Sequence, residues 1–340
     1  MNDLRRRNHY DVTDRVFVAD PRAVRPVVAE VVQALDPHAD IAPLDRAFEL
    51  FSRLYTGELE DYVGCETWYH DAQHSLDSTL TMARLLDGHE RSANTHERLG
   101  SRRCVLGLIV ALFHDAGYIR RASDAAHHGA EFTTWHVRRS ADFLANVLPE
   151  LGFAEETAMA RQMVHFTGYE LALDDILVED PLDRRLGFIL GSADLLAQMS
   201  DRCYLEKCRD CLYPEFAICG LAGPGGGDGH PEPMFTSPED LMRGTPDFVR
   251  QMWHDRLDGY FEGVYRFEAV HFNGTPRYVQ AIDSHLPRLR YALEHEGIHR
   301  GLRRRAECIN AGPLRELLGL DPALGPASAN GRPPRAARHP

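Results

Sequence analysis

Residues 111–118 read ALFHDAGY, and an apolar run that ends in His114-Asp115 is the first place to look for chemistry. A carboxylate carried into a core by such a run is costly unless a cation compensates it. Adjacent residues on a helix point about 100° apart, so two neighbours share one ion most easily where the helix ends. Gly117 is expected to free the backbone for that turn. Other residues of the same chemistry precede and follow. His70 and His74, in YHDAQHSLD, stand at i and i+4 on one helix face. His136 shares a stripe with Ser140, Phe143 and Val147, and His165 ends the next expected helix. Asp194 sits among Leu190, Gly191, Ala197 and Leu205, where a carboxylate needs a partner. Imidazoles and carboxylates without a thiolate suit Mn, Fe, Zn, Ni or Co better than Mg. Two such divalent ions bridged by Asp115 would neutralise a phosphate ester and turn water into hydroxide near neutral pH. His74, His114 and Asp194 would clamp one side, with His136 and His165 on the other.

The elements that must position these groups are helices. Apolar residues recur at helical spacing through 44–60, 73–87, 103–115, 131–149, 155–166 and 183–212, and alternating strand patterns are nearly absent. The prediction is an all-α fold. An N-terminal segment, 1–43, would precede a core over 44–219. The stretch GLAGPGGGDGHPEP anchors a linker over 220–236, and a helical extension follows over 237–312. That extension, with Trp253, Tyr260, Phe261, Tyr265 and Phe267, is read as a cover over the core or a homodimer surface. The tail 313–340, rich in Pro, Ala and Arg, is expected to be disordered.

The ordered set His74, His114-Asp115, His136, His165 and Asp194 resembles the H…HD…H…H…D pattern of the HD-domain superfamily of metal-dependent phosphohydrolases. The resemblance covers roughly residues 62–215 and implies an HD-type helical bundle with additional C-terminal helices. The two extra histidines mark members that hold two metals. YHDAQHSLD is similar to the YHNxxHAxD motif of cyclic-nucleotide phosphodiesterases, with Asp71 in place of the Asn. In that group the first histidine protonates the leaving oxygen and the second binds metal, which implies those roles for His70 and His74. Asp115 would serve catalysis as the bridging ligand. Tyr118 stands where other branches carry a Glu or a Lys, so the resemblance does not fix the substrate.

Four residues are candidate substrate contacts. Arg120 and Arg121 follow the His-Asp turn and suit bidentate hydrogen bonds to phosphate. Lys207 is the single lysine of the chain. Counted along a helix from Asp194, Lys207 falls about 140° off the ligand face, whereas Asp201 returns to it. Asp77, three residues from His74, is expected to orient it. A net charge of −13 argues against broad binding to nucleic acid or an anionic membrane. No apolar run reaches the roughly 20 residues of a membrane span, and no secretion signal is evident, so a cytoplasmic location is expected. The cluster Cys203, Cys208, Cys211 and Cys219 lacks paired CxxC knuckles and suits reduced thiols. The expected function is hydrolysis of a small phosphorylated, nucleotide-like substrate, a phosphomonoester or a phosphodiester. Two alternatives remain: an HD-type diiron oxygenase, whose ligand set is the same, and a non-catalytic nucleotide-sensing module.

Overall fold

Aspartate or serine followed by proline starts three of the helices. Asp20, Asp180 and Ser237 each accept a hydrogen bond from a backbone N–H of the first turn, and Pro21, Pro181 and Pro238 occupy its first position. Proline is preorganised there, and the capping side chain satisfies a donor the helix leaves free. The computed structural model describes residues 6–224 and 232–320. It is all-α: among the described residues there are isolated bridges but no strand or sheet.

Helices α1 (Pro21–Leu35) and α2 (Ala42–Thr56) lead to α3 (Ala72–Ser92) and α4 (Gly100–Phe113). Next come α5 (His136–Val147), α6 (Thr157–Met163) and α7 (Pro181–Ser200). Helix α3 is buried on almost every side and packs against α1, α4 and α7. From Cys104 to Phe113, α4 is also wholly buried, which accounts for its uniformly apolar sequence. The site therefore hangs from the most enclosed elements of the bundle.

The helix expected over 183–212 is in fact broken. It ends at Ser200, where Asp201 turns extended, and the chain resumes as α8 (Tyr204–Lys207). A wider turn over Cys208–Leu212 then feeds α9 (Tyr213–Ile218). Part of the linker, 225–231, lies outside the described residues. Beyond it are α10 (Pro238–Gln251), continued by a π-helical stretch Met252–Tyr260, then α11 (Phe267–His271), α12 (Arg277–Asp283), α13 (His285–Tyr291) and α14 (Ile298–Gly301). One cluster of buried apolar residues runs from Val12 to Leu314, so this extension shares its core with the earlier helices. Phe261 packs on Phe166 and Phe188. Helix α11 lies against α3, with Gly88 at the crossing.

The chain departs from the expected tail at its start: Ala311–Leu318 forms α15, which buries Leu314 and packs on α2. The rest of the expected disorder, 321–340, lies outside the described residues. The N-terminal segment 1–43, to which the sequence reading assigned no element, holds α1, whose Val24, Val28 and Val32 face the core at i, i+4 spacing.

The α3–α11 crossing gives a stability test. A Cβ on Gly88 would sit 1.9 Å from the Phe267 carbonyl oxygen, a backbone atom that cannot swing aside. Gly88→Ala should therefore lower stability by about 1–3 kcal/mol despite alanine's better helix propensity. Thermal unfolding reads this directly, and an unchanged or raised Tm would show that the two helices do not touch there.

Candidate metal centre

Three elements bring the principal donors together. Asp71 caps α3 by accepting from His74 N at 3.0 Å, which sets His74 in its first turn. His114 is the last residue to follow α4, and Asp115 leads into a short turn over Ala116–Tyr118. Asp194 comes from the middle of α7. All four are buried. The Nε2 atoms of His74 and His114 lie 3.3 Å apart. His74 Nε2 is 3.4 Å from Asp115 Oδ2 and 3.1 Å from Asp194 Oδ1; His114 Nε2 is 3.3 and 3.4 Å from the same atoms.

Nothing in the protein satisfies this arrangement. His114 Nδ1 donates to Ala111 O at 2.8 Å, so Nε2 is the ring atom turned towards the cluster. Asp115 Oδ2 and Asp194 Oδ1 are buried and accept no hydrogen bond. Burial opposes charge on His114, but Asp115 and Asp194 outweigh it and raise its pKa well above the usual imidazole range. Burial is likewise outweighed at both carboxylates, where His114 is the leading opposing influence, and both stay ionised. The cluster is thus built to hold a positive charge. Ligands about 2.0–2.2 Å from one transition metal ion stand roughly 3.0–3.5 Å apart when adjacent, and the imidazole–imidazole and imidazole–carboxylate distances match that spacing. His74, His114 and Asp115 offer atoms within 4.8 Å of one another. The residues fit a divalent ion.

The turn at 115–118 depends on Gly117, though for a reason other than the one expected. Its φ is not positive; a Cβ there would lie 1.9 Å from His136 O, so glycine lets α5 approach. That approach places His136. Its Nδ1 donates to Thr133 O at 2.8 Å, and Nε2 stands 3.6 Å from Asp115 Oδ1, the second oxygen of the proposed bridge. Burial pulls the His136 pKa down to about 4 despite Asp115, leaving a neutral ring whose lone pair faces a carboxylate. His165 is not brought in. Helix α6 stops at Met163, the chain tightens over Val164–Thr167, and the His165 ring makes no contact with His74, His114, Asp115, His136 or Asp194. Its Nδ1 is buried without a partner.

His70 reaches the same cavity from the residue before the cap. Its Nδ1 lies 2.6 Å from Glu215 Oε2, and Glu215 is fully buried. Glu215 Oε1 accepts from Trp68 N and Tyr69 N, both at 2.6 Å. Tyr118 stacks against both His70 and His136, 4.3 Å from each ring centroid, and those two rings are themselves 6.0 Å apart. Burial lowers the His70 pKa, but the Glu215 carboxylate, with Asp115 and Asp194 behind it, outweighs that and raises it. Glu215 is the residue that sequence reading missed. It lies in YPEF, past the helix break, and no spacing marks it.

The substrate contacts expected from the sequence go elsewhere. Arg120 grips Glu66 at 2.7 and 2.9 Å and donates to Ala126 O, off the cavity. Arg121 is exposed beside the Tyr62 ring, and it too is absent from the cavity wall. Lys207 and Asp201 form a buried ion pair at 2.7 Å. Burial opposes the Asp201 charge, yet Lys207 holds its pKa down to about 2. The pair lies behind His74, with Gln73 Nε2 donating to Asp201 Oδ2 at 3.0 Å. Asp77 lies in the same region; burial and the charges of Asp201 and Asp11 push it up to about 7.

His70, His74, Asp115, His136 and Asp194 open on a cavity of about 620 Å³ walled by α7–α10 and the 167–170 loop. Among the described residues no helix is long and apolar enough to cross a membrane. Compared with protein-family models, curated proteins and solved structures, the chain matches none.

Proposed function

We propose that the chain is a metal-dependent hydrolase of phosphate esters. The observation that carries this reading is the convergence of His74 Nε2, His114 Nε2, Asp115 Oδ2 and Asp194 Oδ1, with His74, Asp115, Asp194 and His70 on the wall of one large cavity. His74, His114, Asp115 and Asp194 would hold the principal ion, of the Mn, Fe, Zn, Ni or Co class. His136 and Asp115 Oδ1 would offer the start of a second position. When bound, such ions neutralise phosphate charge and lower the pKa of water.

The protein's own groups account for the remaining steps. Asp115 and Asp194 supply fixed negative charge that retains the cation. His70 has Nδ1 committed to Glu215, so its free Nε2–H is the donor available to the cavity. There it would give a proton to the departing alcohol oxygen as the phosphorus–oxygen bond breaks. Tyr118 fixes the plane of that ring by stacking. The sensing alternative gives no role to the His70–Glu215 pair. The diiron alternative needs all six ligands, and the His165 ring makes no contact with the other five. Phosphate ester hydrolysis is therefore the preferred reading.

The direct test is release of nitrophenolate from a nitrophenyl phosphate ester by purified protein with added Mn. Activity that vanishes with chelator and returns with Mn supports the reading, and a metal-loaded protein inert towards mono- and diesters contradicts it.

Glu215 supplies a pH test of the same reading. His70 must be protonated to act as acid, so activity should fall as pH rises through its pKa. The Glu215 carboxylate keeps that pKa raised, and an opposite charge at such range is worth about 1–3 pH units. In Glu215→Gln the alkaline limb of kcat/KM should move to lower pH by about one unit or more. A limb that stays in place would mean that Glu215 does not tune His70.

A further inference from the structure

The walls of the cavity say more about the substrate than its floor does. Away from the metal-ligand cluster, the lining includes Leu212, Phe216, Leu221, Phe235, Leu241 and Phe248. Phe216 and Phe235 stand nearly parallel, with ring centroids 6.0 Å apart. Among the described residues no arginine or lysine lines the cavity. The cations that sequence offered for a phosphate are engaged by Glu66 and Asp201 or lie outside the cavity. Asp115, Asp194 and Glu170 are the anions on its surface. A nucleoside di- or triphosphate would bring further negative charge with no side-chain cation to meet it beyond His70, which serves the leaving oxygen, and burying such charge unpaired is expensive.

We infer that the substrate is a single-phosphate ester of an uncharged, apolar alcohol whose alkyl or aryl body fills the Leu212–Phe248 side of the cavity. This rests on the phosphohydrolase reading for its reactive end. In the reaction, water's oxygen bonds to phosphorus and the phosphorus–oxygen bond to the apolar alcohol breaks. The leaving oxygen takes its proton from His70, which recovers one from water. The volume, about 620 Å³, is that of a small-molecule site, large enough for the body of a modest alcohol.

Binding and chemistry can be tested separately. Dimethylphosphinate and dibutylphosphinate carry one charge and no hydrolysable bond, and calorimetric titration of each into the Mn-loaded protein reads binding alone. Each buried methylene is worth about three- to fourfold in affinity, so the butyl compound should bind about tenfold or more tighter. Phe248→Asn and Leu212→Asn, from separate elements, should each shrink that ratio. Equal affinities, failure of both phosphinates to bind at millimolar concentration, or tighter binding of ADP or 3′,5′-cyclic AMP than of dibutylphosphinate would overturn the inference. In parallel, nitrophenolate release from methyl and butyl nitrophenyl phosphate tests the hydrolase reading. A butyl preference in binding without hydrolysis upholds the apolar site and removes the hydrolase. Hydrolysis without any chain-length preference does the reverse.

Discussion

Replacing Asp115 with alanine is expected to empty the metal centre and reduce phosphate ester hydrolysis by about 10³-fold or more. The size follows from what a bound ion contributes, several kcal/mol of transition-state charge stabilisation at about 1.4 kcal/mol per factor of ten. Asp115 differs from the other donors in facing both histidine groups. Its Oδ2 meets His74 and His114, while Oδ1 faces His136 at 3.6 Å. Asp115→Ala therefore removes the shared carboxylate from every position an ion could take. His165→Ala, at a residue that contacts none of the four donors, should keep the principal ion and most of the activity. Arg120→Ala should keep it too, because Arg120 pairs with Glu66. Elemental analysis alongside nitrophenyl ester turnover checks all three. Full metal occupancy in Asp115→Ala, or its loss in His165→Ala, would require a different ligand set.

The second large effect depends on the leaving group. An alkoxide leaves poorly, and a proton delivered in the transition state contributes about 10²–10⁴-fold. Nitrophenolate leaves readily without one. His70→Ala should therefore slow hydrolysis of an alkyl phosphodiester strongly and that of its nitrophenyl counterpart only slightly. His74→Ala removes a metal ligand and should slow both alike. The His70 Nδ1 bond to buried Glu215 explains why the effect should be protonic: it orients the ring and sustains the imidazolium. Equal losses on both substrates in His70→Ala, with the ion retained, would leave His70 a positioning residue.

The principal cluster was legible because it violates ordinary burial. His114-Asp115 at the end of an apolar helix and Asp194 on an apolar face are titratable groups where a soluble core has no use for them, and the fold gathers both with His74. Helical class was legible from periodicity alone. What failed was counting angles past a break. Lys207 and Asp201 were placed on the continuation of α7, yet the helix ends at Ser200 and the two meet each other in a buried ion pair. His165 was placed by assuming a helix through 166, and the chain tightens from Val164 instead. Glu215 was invisible because its partner, His70, lies 145 residues earlier in the chain. Helix α1 was overlooked although Asp20-Pro21 and the valine spacing announce it.

The central claim is that His74, His114, Asp115 and Asp194 hold one transition metal ion. Anomalous scattering at the manganese edge from crystals of Mn-loaded protein tests it most directly. The expected result is a strong peak about 2.0–2.3 Å from both Nε2 atoms and from one oxygen of each aspartate. A weaker second peak between Asp115 Oδ1 and His136 would add the second ion. Loaded, active crystals with no peak among those four side chains, or with the peak elsewhere, would contradict the account.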